Sequence, residues 1–454
     1  MTIDQPLWWE QTPTEPTRAA LDGDVDADVA VVGAGYTGLW TAHYLLERDP
    51  TLRVVVVESR HVGYGASGRN GGWCYDGFAA SLSRVERASD LETARRFAAA
   101  LRAAVDEVGA TARRLDLDIG YHKGGSIEFL RNGGQLARAE EDVAAARRYG
   151  WKEADLRIVG RDEALTHGRA EGVVGGLVST HAAAIQPALL AHGLAGSLER
   201  RGVRIFERTP ATTLRRGAVD TPGGSVHAPM IVQATEGYTA RLPGLRRRLV
   251  PLYSLMVATE PLPSSLWDEL GLADRALFSD YRHLVIYGQR TTDGRIAFGG
   301  RGAPYDYGSR IRDGVAFRPA DFEYVRAALV DLFPQLADVA VTHRWSGVLG
   351  VARDWHPRVV VDREAGMAWA GGYVGSGVAV SNLAGRTLAD LIVGAESEIT
   401  RFPWVNRPLR GWEPEPLRWA GINTALWVMK SADRVETTTD RPARRADRLW
   451  KIVE

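Results

Sequence analysis

Gly33, Gly35 and Gly38 lie in the run VAVVGAGYTG (29–38), at a spacing that suits a pyrophosphate. The apolar stretch Val29 to Val32 reads as a buried strand, and helix-period residues follow as far as Leu46. Gly33 makes the tight turn, Gly35 lets the backbone approach a phosphate, and Gly38 lets the helix pack on the strand. Tyr36 and Thr37 fall at the helix N-terminus, where unpaired N–H groups and the positive dipole end favour an anion. A second apolar run, Val54 to Val57, ends at Glu58, twenty residues after Gly38. A carboxylate there can accept both hydroxyls of an adenosine ribose. Ser59 and Arg60 follow it as further candidate contacts. Strand, glycine turn, helix and acid in this order mark a dinucleotide site far more specifically than the glycines alone.

Two more glycine clusters follow this motif, one five residues after Glu58 and one near the C-terminus. GYGASGRNGGW (63–73) offers Gly65, Ser67, Arg69, Asn70, Gly71 and Gly72 as backbone and side-chain contacts to a flat ligand. WAGGYVGSGVAV (369–380) offers Gly372, Tyr373, Gly375, Gly377 and Val378 ahead of a helix, a loop suited to a polar ring edge. Thr235 follows a predicted strand, Met230 to Ala234, in the segment ATEGYT. The alternatives are a surface loop for the first cluster and a helix–strand packing loop for the second. NAD needs one such turn. FAD must also have its ribityl chain and isoalloxazine edge cradled, so three glycine-rich approaches favour FAD.

The pieces VVGAGYTGLWTAHYL, SGRNGGW, ATEGYT, GRIAFGGR, RWSGVLGVARDWHPRV and GGYVGSGVAVSNLAGRTLADLI occur in this order. They resemble the FAD-dependent D-amino-acid oxidase/glycine oxidase superfamily, and within it the γ-glutamylputrescine oxidase-like amine oxidoreductases. The resemblance implies an α/β plus β fold, with a discontinuous Rossmann-like FAD domain and a substrate domain whose antiparallel sheet roofs the flavin. It implies hydride removal to flavin N5 from the carbon bearing an amine, then hydrolysis of the imine. Gly33, Gly35 and Gly38 match the family's pyrophosphate loop and Glu58 its ribose acid. Ser67, Arg69, Asn70 and Gly71 match its flavin-proximal segment, and Val203 to Arg208 the strand leading to the adenine side. Gly372, Gly375, Gly377 and Val378 match the loop beside the pyrimidine end. The departures concern the monomeric sarcosine oxidases. Their carboxylate-holding lysine aligns with Ala379, their oxygen-activating lysine with Ala297, and their flavin-linking cysteine with Gly347. A carboxylate clamp, fast oxygen chemistry and that covalent link are therefore not implied.

Such a reaction needs a neutral amine in a dry, aromatic-lined pocket more than it needs a dedicated base. Trp73, after the flavin-proximal glycines, is a candidate wall of that pocket. Tyr253 follows Pro251 on a predicted strand. Tyr281, His283 and Tyr287 alternate, and one strand face carrying all three would roof the flavin and orient the amine. Their alternative is packing between sheet and helix. Arg301 is a candidate for an anionic substrate end, against a surface arginine or an ion pair with Asp306. Cys74 reads as a small buried hydrophobe rather than a flavin link. Asp354 reads as a cap or turn residue, and His181 and His343 as hydrogen-bonded structure. No histidine pair with carboxylates has metal spacing.

These groups need a large scaffold, and 454 residues exceed one ordinary core. The predicted division is an FAD domain from 1–90, 157–245 and 345–400, a substrate domain from 91–156 and 246–344, and a tail from 401–454. The tail carries Trp404, Trp412, Trp419, Trp427 and Trp450. Its amphipathic stretch Leu417 to Met429 could dock on the body, cover the entrance, build a homodimer contact or touch a membrane surface. The charged segment after it reads as solvated. Lys+Arg and Asp+Glu balance at 56 each, which argues against nucleic acid as a partner. The expected partners are a small amine or amino acid and an electron acceptor, either oxygen or another. The N-terminus lacks a signal-peptide pattern, and no apolar stretch approaches the roughly 18 residues of a membrane span. The expected compartment is the cytoplasm. An amine dehydrogenase with a non-oxygen acceptor, an FAD-dependent hydroxylase and a flavin-holding subunit are the rival readings. The late Gly-Gly-Tyr, where hydroxylases carry Gly-Asp, disfavours the second.

Overall fold

In the computed structural model, residues 4–13, 17–272, 274–312, 317–446 and 449 are described, so Trp450 lies outside the described residues. Val29–Val32 and Val54–Val57 consist of apolar, mostly β-branched residues buried on both faces. Such strands belong in the middle of a parallel sheet covered on both sides. They lie side by side in a six-stranded sheet, between Met230–Gln233 and Arg204–Phe206, with Met367–Gly371 and Arg358–Asp362 completing the far edge. All neighbours are parallel except the last two named. Val29, Val31, Val54 and Val56 face a helical layer built on Tyr36–Arg48, Leu91–Arg114, Pro187–Arg200 and Gly377–Val393. Ala30, Val32, Val55 and Val57 face a small four-stranded sheet through Val219 and Val226.

The second layer is an eight-stranded sheet in the order Val341–Val351, Val250–Thr259, Ile296–Arg301, Ile286–Arg290, Leu277–Asp280, Ser126–Leu130, Gly175–Ser179, Leu156–Gly160. Only the pair Leu277–Asp280 and Ser126–Leu130 is parallel. One face packs Phe278, Phe298, Leu255 and Val257 against the helix Glu323–Leu332. The other face turns toward the glycine segment 63–73.

Sheet membership draws the division differently from the expected boundaries. Leu156–Gly160, Gly175–Ser179 and all of Val341–Val351 belong to the eight-stranded sheet. Helix Leu91–Arg114 belongs with the nucleotide half, because its stripe of Ala94, Phe97, Leu101 and Val105 is buried in the helical layer there. Asp90 starts that helix by accepting the Thr93 N–H at 2.7 Å.

The tail also differs from expectation. Its helix runs Leu417–Thr439, past Met429 into the stretch read as solvated. There Glu436 is buried, with Oε1 held by Arg138 and by His283 Nε2 at 2.9 Å. Asp433 accepts the His283 N–H at 2.6 Å and the Leu284 N–H at 3.0 Å. Trp404 and Trp412 are buried, whereas Trp419 and Trp427 are exposed. The tail thus docks on its own body at the 281–285 turn. Removing one partner of a buried ion pair leaves an uncompensated charge, which costs about 3 kcal/mol or more. Glu436→Leu is therefore expected to lower the melting temperature and expose the tail helix to protease. A variant as resistant as the parent would contradict the docking role. No helix among the described residues is long and apolar enough to cross a membrane.

Candidate functional site

Two connected cavities lie between the sheets. The first, about 290 Å³, runs along the C-terminal ends of Val29–Val32 and Val54–Val57. This is the edge at which open α/β sheets bind ligands. Gly33, Gly35, Tyr36, Thr37, Glu58, Ser59, Gly65, Ser67, Asn70, Thr235, Tyr373, Gly375, Gly377 and Val378 line it. Gly33 has φ +108°, and a Cβ there would come within 2.6 Å of the Ala234 carbonyl oxygen. Gly35 caps the helix Tyr36–Arg48 with no side-chain cap, leaving its N-terminus turned to the cleft. Ser67 Oγ accepts the Tyr36 N–H at 2.8 Å and thereby ties the second glycine cluster to the first. The Glu58 carboxylate accepts the N–H groups of Ala34 and Arg60, each at 2.9 Å, and burial raises its pKa.

The remaining candidates for the cofactor do not line the first cavity. Gly38 is a packing residue, as its spacing predicted, with no room for a side chain against the turn. Arg60 faces an outer groove with Arg18, His61 and His192. Arg69 and Gly71 line the second cavity rather than the first. Gly72 packs against Gln289 and the Ile185 carbonyl, and Gly372 is engaged by Glu236. Arg60, Arg69, Gly71, Gly72 and Gly372 each lie one or two residues from a position that lines the first cavity.

The second cavity, about 640 Å³, meets the first at Ala66, Asn70, Leu349, Gly375 and Val378, which line both. Its floor is one face of the eight-stranded sheet, carrying Ser126, Glu128, Ser279, Tyr287, Ser254, Arg301 and Gly347. Register explains the set, since Ser254 pairs with both Arg301 and Gly347, and Glu128 with Ser279. Trp73 also lines the cavity, beside Tyr287, its indole N–H donating to the Gly288 carbonyl at 3.1 Å. Tyr287 and Ser254 share a hydrogen bond of 2.6 Å. Arg301 donates to the Val374 carbonyl at 2.5 Å, while Asp306 pairs with Arg312 instead. Burial raises the pKa of the Tyr75 and Tyr287 phenols, so both stay protonated at neutral pH.

Three expectations for the substrate side are corrected. Tyr253 is on the reverse face, where its hydroxyl accepts the Arg312 N–H at 2.6 Å and its ring meets Phe317. Adjacent strand residues point to opposite faces, so Ser254 lines the cavity in its place. Tyr281 and His283 are not on a strand with Tyr287, because strand Ile286–Arg290 begins after them. The intervening turn is captured by the tail, which takes His283 out of the site altogether. Tyr281 still lines the cavity from the turn and is bonded to Asp142. Cys74 is fully buried in the helical layer, and the aligned lysine positions Ala297 and Ala379 are buried as well.

Two acids escaped the sequence reading. Glu236 lines the first cavity, and its carboxylate accepts the N–H groups of Gly350 at 2.6 Å, Gly372 at 2.9 Å and Tyr373 at 3.1 Å. Burial pushes it up to about 7, against the pull of those three donors. Glu128 is the one acid in the apolar strand SIEFL, a signal that was available. It too is pushed up to about 7 by burial. Among the described residues no cluster of three or more His, Cys, Asp and Glu could hold a metal.

The cavities fit FAD. The first offers an acid and a positive-φ glycine turn at one end and the 372–378 loop at the other, where it opens into the second. Comparison with known proteins agrees. Residues 28–391 match the family DAO, FAD dependent oxidoreductase. The chain is 30% identical over 421 residues to the probable oxidoreductase OrdL of Rhizobium meliloti (strain 1021), covering 88% of this chain and 92% of that one. It is 29% identical over 390 residues to gamma-glutamylputrescine oxidoreductase of Escherichia coli (strain K12), covering 84% and 87%. Among solved structures, glycine oxidase from Geobacillus kaustophilus superposes with a TM-score of 0.67 at 21% identity, over 82% of this chain and 96% of that one.

Proposed function

The chain belongs to the DAO family of FAD dependent oxidoreductases, and from that membership we propose that it oxidises an amine or amino acid at the carbon next to nitrogen. The observation that carries the reading is the junction of the two cavities, where a chamber walled by Trp73, Tyr75 and Tyr287 opens onto the FAD cleft at Asn70 and Gly375. FAD, when bound, supplies the two-electron acceptor. The chain binds the amine, positions its C–H at the junction and keeps water out. Protonated Tyr75 and Tyr287 orient the nitrogen by hydrogen bonds and do not act as bases. Arg301 offers a cation at the junction for a substrate anion. Water then hydrolyses the imine product to a carbonyl compound and an amine.

The name of the Escherichia coli relative supports an amine with an extended tail, and the size of the chamber agrees. A second reading concerns the acceptor. No lysine among the described residues lines either cavity, which favours a dehydrogenase that passes electrons to a quinone or another acceptor over a fast oxidase. The test is anaerobic mixing of the yellow protein with free and acylated diamines, N-methyl amino acids and D-amino acids. Bleaching of the flavin by one class is expected, with slow recolouring in air and fast recolouring with a quinone. A flavin that no amine bleaches would overturn the proposal.

A further inference from the structure

We propose that Glu128, with Ser126 beside it, is a specificity-determining contact for a second, positively charged group on the substrate, remote from the carbon that is oxidised. This rests on the amine-oxidising reading above. The strand Ser126–Leu130 places Ile127 and Phe129, both fully buried, in the core behind the sheet. Ser126 and Glu128 therefore face the cavity together. Ser126 is only 9% exposed, and its hydroxyl has no hydrogen-bond partner among the described residues. Glu128 accepts a single long hydrogen bond, from Ser279 Oγ at 3.4 Å, and no cation among the described residues pairs with it. Both polar groups open onto the cavity with bonding capacity that the protein leaves unused, so a ligand group entering there can take it up.

The neighbouring charges point to the sign of that group. Asp142 is engaged by the Tyr281 hydroxyl, and Asp76 accepts the Trp151 indole N–H at 3.0 Å. Burial pushes the Glu128 carboxyl up to about 7, and the negative potential of Asp142, Asp280 and Asp76 adds to it. A bound ammonium would draw that proton off and satisfy the carboxylate. None of the cavity's arginines pairs with Glu128. Arg69 donates to the Tyr64 and Ser346 carbonyls, Arg301 to Val374, and Arg148 pairs with Glu86. Tyr75 and Tyr281 add aromatic rings, which suit a cation.

The spacing also sets a length. Ser126–Leu130 lies two strands from Ile286–Arg290, which carries Tyr287, in the sheet order. At about 4.8 Å per strand this separates the two groups by roughly 10 Å. A flexible diammonium chain of about that reach fills the gap, with one nitrogen at the cofactor junction and the other at Glu128.

The test compares unbranched α,ω-diamines with monoamines of equal length on FAD-loaded wild type and Glu128→Gln. Flavin bleaching rate and calorimetric affinity are both read. Wild type is expected to favour the diamine by tenfold or more at the best length, in affinity and in kcat/KM. E128Q is expected to bring that ratio to within about twofold of one, with its FAD content unaltered. A diamine-to-monoamine affinity ratio that is near one in wild type, or equally high in E128Q, would overturn the proposal. Calorimetry does not require turnover. Diamine-selective binding lost in E128Q, with no bleaching by any amine, would therefore sustain this contact while sinking the amine-oxidising reading.

Discussion

Gly38→Val is expected to give a protein that purifies colourless and melts well below the parent. A Cβ at Gly38 would lie 2.1 Å from the Gly33 carbonyl oxygen and 2.9 Å from Val31 Cγ1. The first contact is with backbone, which cannot rotate away as a side chain can. The helix Tyr36–Arg48 must then slide off the strand Val29–Val32, or the turn must open. Overpacking in a well-filled core costs about 1–3 kcal/mol, and a backbone clash at the branched valine lies at or above the top of that range. The same displacement moves the helix N-terminus away from the phosphates, so FAD retention falls along with stability. Visible absorbance per protein and a thermal melt check both. A yellow Gly38→Val protein melting with the parent would show that the turn does not need this glycine.

Glu236→Ala is expected to cost about 3–5 kcal/mol and to weaken FAD retention, with Glu236→Gln falling between it and the parent. One carboxylate satisfies the buried N–H groups of Gly350, Gly372 and Tyr373. Each orphaned buried donor costs roughly 1–3 kcal/mol, less what an entering water recovers. Glutamine keeps one oxygen for Gly372 and Tyr373 but turns an NH2 toward the Gly350 N–H, donor against donor. The loop released is the one bearing Tyr373, Gly375 and Gly377, which lines the cofactor cleft. The pH dependence adds a signature. Burial raises Glu236 from 4.5 to about 7 in the folded protein, so the folded chain binds this proton more tightly than the unfolded chain. Its contribution is full below pH 4.5 and declines as pH rises to about 7, by at most about 3 kcal/mol at 1.36 kcal/mol per unit. Neither variant titrates at this position. The stability gap between parent and Glu236→Gln should therefore narrow across that window, in denaturant melts at stepped pH. A gap constant with pH would show that Glu236 carries no raised pKa in the folded protein.

The strand–turn–helix at 29–48, the acid at Glu58 that follows it and the family were legible in the residues because their determinants are local. Strand, turn and helix from Val29 to Arg48 are contiguous in sequence, and glycine spacing alone dictates where backbone can approach backbone or phosphate. The substrate side was not legible to the same depth. Tyr253 and Ser254 are adjacent in the chain, and a shift of one residue in a strand exchanges the cavity face for the core face. Which face is which depends on the layer packed behind the sheet, here the helix Glu323–Leu332. His283 alternates with Tyr281 in the sequence, but Glu436, 153 positions away, claims its ring. Glu236 takes its partners from 114 to 137 positions downstream, and no local period records such a contact. Sequence by itself thus determined the cofactor and the reaction family. Tertiary structure alone decided which side chains the substrate meets, because sheet facing and burial arise only when distant segments pack together.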